Sequence, residues 1–462
     1  MKYDDFLKSK RFYIEPAGFN PVDIHKSMLF DWQKDVVTLA VKKGRFCLFT
    51  DTGTGKTAMQ LEFARQVVKH TGRPVLILAP LAVTTQTKEE GLKFGYEVTV
   101  CRTQQDVTDG INITNYDMLE HFDADHFAGI VLDESGILKH FNSKTRSLII
   151  ETFVDTPYKL ACSATPAPND YMELGNHAEF MGVMTRTEML STFFYHDGGE
   201  TAKWVLKGHA EDKFWEWVSN WAIVVRKPSD LGYQDDGYDL PPLNVEEIIV
   251  SSEIGELDGQ LMLVPLMAST LNERRQARRD SLTDRCQMAV DLIQNDPDNQ
   301  WLLWCDLNAE SELLTKLSNG VEVKGSDDRE HKSTSLIGFS HQDFKVLVSK
   351  PSIAGFGMNW QQCHNMVFVG LSDSYEMMYQ AIRRCWRFGQ TNPVNVYIIT
   401  SEAEGDVRDN IARKEKQAQE MFEKMAAYSR ASIEKEVRKT YRETDEYNPQ
   451  KVMVLPKWIM SA

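Results

Sequence analysis

One stretch constrains this chain more than any other: RFCLFTDTGTGKT, residues 45–57. An apolar run, Arg45 to Thr50, feeds a glycine-bearing loop, Asp51 to Gly55, and Lys56 and Thr57 then open a run in which Leu61, Ala64, Val67 and Val68 recur at helical spacing. Strand, loop and helix start together make a phosphate cradle. Gly53 and Gly55 let the backbone turn its amides toward one anion, and the helix start adds partial positive charge. Asp51, Thr52, Gly53, Thr54 and Gly55 then line a nucleotide, Lys56 supplies the full charge for its β- and γ-phosphates, and the Thr57 hydroxyl is a magnesium ligand. The first glycine of the general pattern is absent, Thr50 standing in its place.

Ahead of this loop, residues 1–27 read as an irregular lead interrupted by Pro16 and Pro21. Leu29 to Gln33 begins a helix that reaches the loop's strand. An aromatic and Gln33 at this distance can stack on and hydrogen-bond an adenine, or can simply form a packed helix start. From Arg73 onward the runs PVLILAP, YEVTVC, INITN, GIVLDE and YKLACSA alternate with helical ones. They are short and mostly apolar, as strands buried on both faces must be, so residues 28–184 predict a parallel sheet covered by helices. Binding loops in such a sheet lie at the carboxyl ends of the strands.

Residues 185–243 break the alternation and read as a helical insertion and linker. Trp215, Trp217 and Trp221 in FWEWVSNW are expected to pack a helix, with stacking on nucleic acid as the alternative. A second alternation, residues 244–401, carries QWLLWC, VEV, FKVLVSK, NMVFVG and VNVYIIT. Residues 402–462, rich in alternating charge, predict an exposed helical tail. The fold class is therefore α/β, with two parallel-sheet domains in tandem.

Fifty-two basic against 67 acidic residues give a net charge of −15, which excludes a globally basic polyanion binder. Any nucleic-acid contact must be local, through a groove and main-chain amides. Arg274, Arg275, Arg278, Arg279 and Arg285 offer a solvated helix face or a phosphate-tracking patch. The seven cysteines show no CxxC spacing, which suggests reduced, buried thiols in a cytosolic chain. The start, MKYDDFLKSK, lacks a secretory apolar core, and no run of 18 apolar residues exists, so a soluble intracellular protein without a membrane partner is expected.

The chemistry concentrates at strand ends. GIVLDE ends in Asp133-Glu134, the acidic partner that a phosphate loop requires: Asp133 for the metal, Glu134 to orient and deprotonate water. Ser163-Ala164-Thr165 ends the next strand and can pass hydrogen-bonding information to a second ligand, or can form an ordinary turn before Pro166. In YQAIRRCWRFGQ, Gln380, Arg384 and Arg387 are four and three apart, which predicts one helical face, ended by Gly389 and Pro393. Arginines on a separate lobe can neutralise charge growing on a γ-phosphate when the lobes close. Gly355, with Gly357 in AGFGMNW, permits close approach of main chain to a nucleotide or a phosphate backbone.

In this order the elements resemble the superfamily-two helicases, most closely their SWI/SNF-type branch of DNA translocases, over about residues 28 to 400. DTGTGKT looks like the first motif, APLAVTTQ motif Ia, ITNYDML motif Ib and VLDES the DEAH-like box; SAT, AGFGMNW and QAIRRCWRFGQ are similar to motifs III, V and VI. The box lacks its histidine, and Trp386 stands where the branch usually has one. The resemblance implies two RecA-like lobes with ATP and magnesium in the cleft. It implies Ser163, Thr165 and Gln380 as coupling residues, and nucleic acid gripped by Pro80, Gln86, Thr114, Asn115, Lys350 and Asn359. Duplex DNA is the expected track, and a nuclease, methyltransferase or replication or repair protein is a candidate partner. A strand-separating DNA or RNA helicase and an ATP-gated clamp or assembly subunit stand as alternatives.

Overall fold

The computed structural model describes residues 16–196, 204–235, 237–250, 256–257, 260–261, 279–354, 358–370, 372, 374–401 and 405–439. In the first lobe the expected runs become β1 (Arg45–Thr50), β2 (Val75–Ala79), β3 (Val98–Val100), β4 (Ile111–Asn115), β5 (Gly129–Asp133) and β6 (Tyr158–Cys162). A hairpin of β7 (Phe194–His196) and β8 (Trp204–Leu206) follows, and then β9 (Ala222–Val225). The sheet runs β3, β4, β2, β5, β6, β1, β9, with every pairing parallel. Side chains alternate across it: Phe46 and Leu48 of β1 enter one core with the helices Asp31–Lys43 and Lys56–Thr71, while Cys47 and Phe49 enter the other.

The second lobe repeats the plan. β10 (Leu243–Val250) precedes a short hairpin, β11 (Glu256–Leu257) with β12 (Gln260–Leu261). Then come β13 (Trp301–Cys305), β14 (Val321–Val323), β15 (Val346–Ser349), β16 (Asn365–Val369) and β17 (Val394–Ser401). Their order is β10, β17, β16, β13, β15, β14, again all parallel. Two tandem RecA-like α/β domains, each a parallel sheet covered by helices, are thus what the chain builds.

Two expectations about organisation need correcting. The segment 185–243 is not merely insertion and linker, because β9 pairs in register with β1 from Cys47–Ala222 to Thr50–Val225 and closes the first sheet. Trp215, Trp217 and Trp221 are buried beneath that sheet, so they pack and do not stack on a polymer. The charged tail is not simply exposed either. Its helix Gly405–Ser432 returns to the first lobe, where Met421, Phe422 and Met425 enter the core and Ser429 Oγ accepts the Val224 amide at 3.0 Å. Few apolar residues suffice for this, because they fall on one stripe.

Of the arginine cluster, Arg274, Arg275 and Arg278 lie outside the described residues. Arg279 is exposed, and Arg285 is buried in an ion pair with Glu310 at 2.9 Å, so it tracks no phosphate. All seven cysteines are free and buried. Among the described residues no helix is long and apolar enough to cross a membrane.

Candidate nucleotide site between the lobes

Because β5, β6 and β1 are neighbours, their carboxyl ends bring Asp133-Glu134, Ser163–Thr165 and the glycine loop to one edge. Gly53 and Gly55 have φ of 83° and 80°, a region that side chains with a Cβ rarely occupy, so the loop's glycines are required where they stand. The helix Lys56–Thr71 starts directly at Lys56 and aims its amide end at the same edge. Lys56 Nζ donates to the Thr50 carbonyl at 3.1 Å, which holds the ammonium folded over the loop.

Asp133 accepts the Gln60 side-chain amide at 2.6 Å and the Glu134 backbone amide at 3.1 Å. Burial, helped by the neighbouring Glu134 carboxylate, raises its carboxyl to about 6. A cation beside it would restore the ionised form. Glu134 has φ of 52°, a left-handed backbone for a residue with a side chain, and such strain is kept where a group must point in one direction. Beneath the pair, Ser135 Oγ meets His177 Nε2 at 3.0 Å, and burial lowers His177 to about 4. Sequence reasoning missed this histidine, which arrives from the helix Leu174–Phe180.

The second lobe faces this edge with the helix Tyr375–Ile382 and the turn after it. Here the sequence expectation is corrected: the helix stops at Ile382, so Gln380, Arg384 and Arg387 do not share one helical face. The turn nevertheless brings both arginines into the cleft. Lys56, Thr57, Asp133, Glu134, Arg384, Arg387 and Gly53 line a single space of about 420 Å³. Arg384 is held by the Gln380 carbonyl and side chain, each at 2.9 Å, and by the Met358 carbonyl at 3.1 Å. Arg387 donates only a long 3.4 Å contact to Met358, and its Nε finds no hydrogen-bond partner among the described residues. Burial lowers both guanidinium groups, Arg384 to about 10.

Other assignments move. Gln33 is buried and its amide is engaged, donating to the Thr54 carbonyl at 2.8 Å and accepting from Phe30 at 2.9 Å, so it supports the loop's shape and does not face a base. The Asp51 carboxylate accepts the Thr52 amide at 2.6 Å and is covered by the second lobe. Gln86 and Asn359, expected on nucleic acid, line the nucleotide cleft instead. Pro80, Thr114, Asn115 and Lys350 stay at strand ends, but Thr114 is buried, Asn115 caps a turn by accepting from Asp117, and Lys350 donates to Asn308 at 2.7 Å. Thr165, expected as a coupling residue, donates its hydroxyl to Glu376 of the second lobe at 3.3 Å and its amide to Ser163 Oγ at 3.1 Å. Gly355 lies outside the described residues. Sequence reasoning also missed Glu376, which pairs with Lys139, and Arg383, which grips the loop.

The donor set suits magnesium brought in with phosphates. Among the described residues no three His, Cys, Asp or Glu side chains gather to hold a resident metal, whereas one hydroxyl (Thr57) and one carboxylate (Asp133) beside a phosphate cradle are what a largely hydrated Mg²⁺ uses.

Fold and cleft together define a two-lobed P-loop architecture. Residues 26–168 match the type III restriction enzyme, res subunit family, and residues 284–389 match the helicase conserved C-terminal domain. No protein of curated function matches the sequence. Among solved structures, the fold is similar to a fragment described as an HsdR subunit of a type I restriction enzyme from Vibrio vulnificus YJ016. The likeness has a TM-score of 0.53 and 16% identity, and it covers 81% of this chain and 64% of that one. The chain thus spans under two thirds of that neighbour's length. One match falls on each lobe, and the pair indicates a superfamily-two helicase-like chain.

Proposed function

We propose that the protein is an ATP-driven motor that tracks double-stranded DNA without extensive strand separation, in the manner of the SWI/SNF-type branch. The observation that carries this reading is the convergence on one cleft of Lys56, the Asp133-Glu134 pair and two second-lobe arginines. A timer or clamp needs no such complete set. In this reading Lys56 and the loop amides hold the triphosphate, Thr57 and Asp133 hold magnesium, and Glu134 takes a proton from the attacking water. Arg387, the less committed of the two arginines, meets the charge that grows on the γ-phosphate as ATP and water become ADP and phosphate.

Coupling to the track follows from the contacts between lobes. Thr165 and Lys139, near the acidic pair, both touch Glu376, so a change at the γ-phosphate is felt by the second lobe through a packed polar chain. The strand-end residues Pro80, Asn115 and Lys350 are proposed to follow the phosphate backbone, Thr114 being buried beneath them. Likeness to a chain described as a restriction-enzyme subunit supports a nuclease or methyltransferase as partner.

ATP turnover measured with duplex DNA, single-stranded DNA and RNA across a salt series tests the proposal. Duplex is expected to stimulate most, with log affinity falling against log salt at a slope of about −0.9 per phosphate contact. Triplex displacement on intact duplex should accompany turnover. Hydrolysis indifferent to any nucleic acid would overturn the reading.

A further inference from the structure

The phosphate loop's leading acid is spoken for by the second lobe. Arg383 lays its guanidinium along Asp51 and Thr52: Nε donates to Thr52 Oγ1 at 2.6 Å, and Nη2 to Asp51 Oδ2 and to the Thr52 carbonyl at 3.0 Å. Tyr379, one helical turn earlier, donates its hydroxyl to the other Asp51 oxygen. Arg383 and Asp51 are 4% and 7% exposed, so this is a buried ion pair between lobes. The Trp386 ring lies 4.8 Å from the guanidinium, and Trp386 Nε1 is itself fixed by the Pro241 carbonyl at 2.8 Å. Neither Asp51 nor Arg383 lines the cleft where a nucleotide would sit, and the contact reaches that cleft only through Thr52, which does line it.

The neighbouring residues show what the pair controls. Arg384 and Arg387 follow directly and do line the cleft. A Cβ placed on Gly53 would stand 3.3 Å from the Phe388 amide, so the turn bearing these arginines already rests on the loop. An arginine used up by three acceptors on the far side of the loop cannot also neutralise a γ-phosphate. It can set where its neighbours stand.

We propose that Arg383 is a positioning residue that seats the second lobe on the phosphate loop through Asp51 and Thr52, and so fixes the approach of Arg387 to the nucleotide. The proposal rests on the ATPase reading above, but its first consequence does not need hydrolysis. A fork is required: lysine offers one point charge and cannot serve Asp51 and Thr52 with two nitrogens at once. Misplacing a catalytic group by about 1 Å costs on the order of 100-fold in rate, which is the scale expected here.

The experiment combines a distance and a cycle. Because all seven native cysteines are buried, dyes attached through cysteines introduced at exposed Asp109 and Glu312 report the separation of the lobes. Without nucleotide, Arg383→Gln and Asp51→Asn should each lengthen and broaden that separation, and the double variant should look like either single. In ATP turnover each single should lose about 10- to 100-fold in kcat, with binding of a fluorescent ATP analogue held within about threefold, and the double should lose no more. Arg383→Lys should not rescue. Tyr379→Phe, which removes one hydroxyl, gives a milder version should the charge variants fold poorly. An unchanged separation in Arg383→Gln, or losses that multiply in the double, would overturn the proposal. If the unsubstituted protein hydrolyses no ATP, the ATPase reading fails while the distance measurement still decides the pair.

Discussion

The two lobes share a parallel-sheet plan and differ in how they hold their polar groups. In the first, the acid and the lysine at the cleft are held within their own lobe, Lys56 by Thr50 and Asp133 by Gln60, and Ser135 beneath them meets His177. In the second, the helix Tyr375–Ile382 and the turn after it take support from the opposite lobe, Glu376 on Lys139 and Arg383 on Asp51, while Arg387 Nε has no hydrogen-bond partner among the described residues. A preorganised half thus meets a half whose geometry depends on docking. That division suits an enzyme in which binding can precede closure and hydrolysis must await it.

The largest expected effects lie on the preorganised side. Lys56→Ala should remove turnover and triphosphate binding together. Glu134→Gln should remove turnover, by about 1,000-fold or more, while a fluorescent ATP analogue still binds. Equal loss of binding in both would erase the distinction between cradle and water-orienting acid.

A smaller effect concerns the buried polar support. The His177 pKa is depressed from 6.5 to about 4, so above pH 6.5 the folded and unfolded states are equally neutral there. As pH falls from 6.5 toward 4 the unfolded chain takes up a proton that the folded one refuses, and stability drops by about 3 kcal/mol. Asp133, raised from 3.8 to about 6, works in the opposite direction, its folded state being favoured as pH falls through the same window. Denaturant titrations of His177→Asn beside the unsubstituted chain isolate the histidine. The variant should lose stability less steeply on acidification, and parallel pH curves would show that His177 is not held neutral.

The smallest effect tests the tail. Ser429→Ala removes the buried acceptor of the Val224 amide and should cost about 1 to 2 kcal/mol in the first lobe, read by thermal melting. No change would mean that the helix Gly405–Ser432 is not part of that lobe's stability.

Much of the sheet architecture was legible because strands buried on both faces write themselves as apolar runs, and a glycine loop needs a strand before it and a helix after it. β9 was not: AIVV follows a tryptophan-rich helix with no turn signal beyond Asn220, and four apolar residues there read equally well as the end of that helix. The acids at the end of β5 were visible from their spacing to the loop. Arg383 was hidden by the assumption that helical period continued through Arg387. Once the helix stops at Ile382, the periodicity no longer says where an arginine points. The unmatched acid at Asp51 was the available clue, since a buried carboxylate calls for a cation. Gln33 and Gln86 were placed by motif position, and only packing decides whether an amide faces a ligand or the loop beside it.

The account stands on a nucleotide held by one lobe and completed by the other, and Arg387→Ala tests it most directly. Binding of a fluorescent ATP analogue should stay within a few-fold of the unsubstituted protein, while DNA-stimulated hydrolysis should fall by about 1,000-fold or more. Full stimulated turnover in that variant would contradict the two-lobe site.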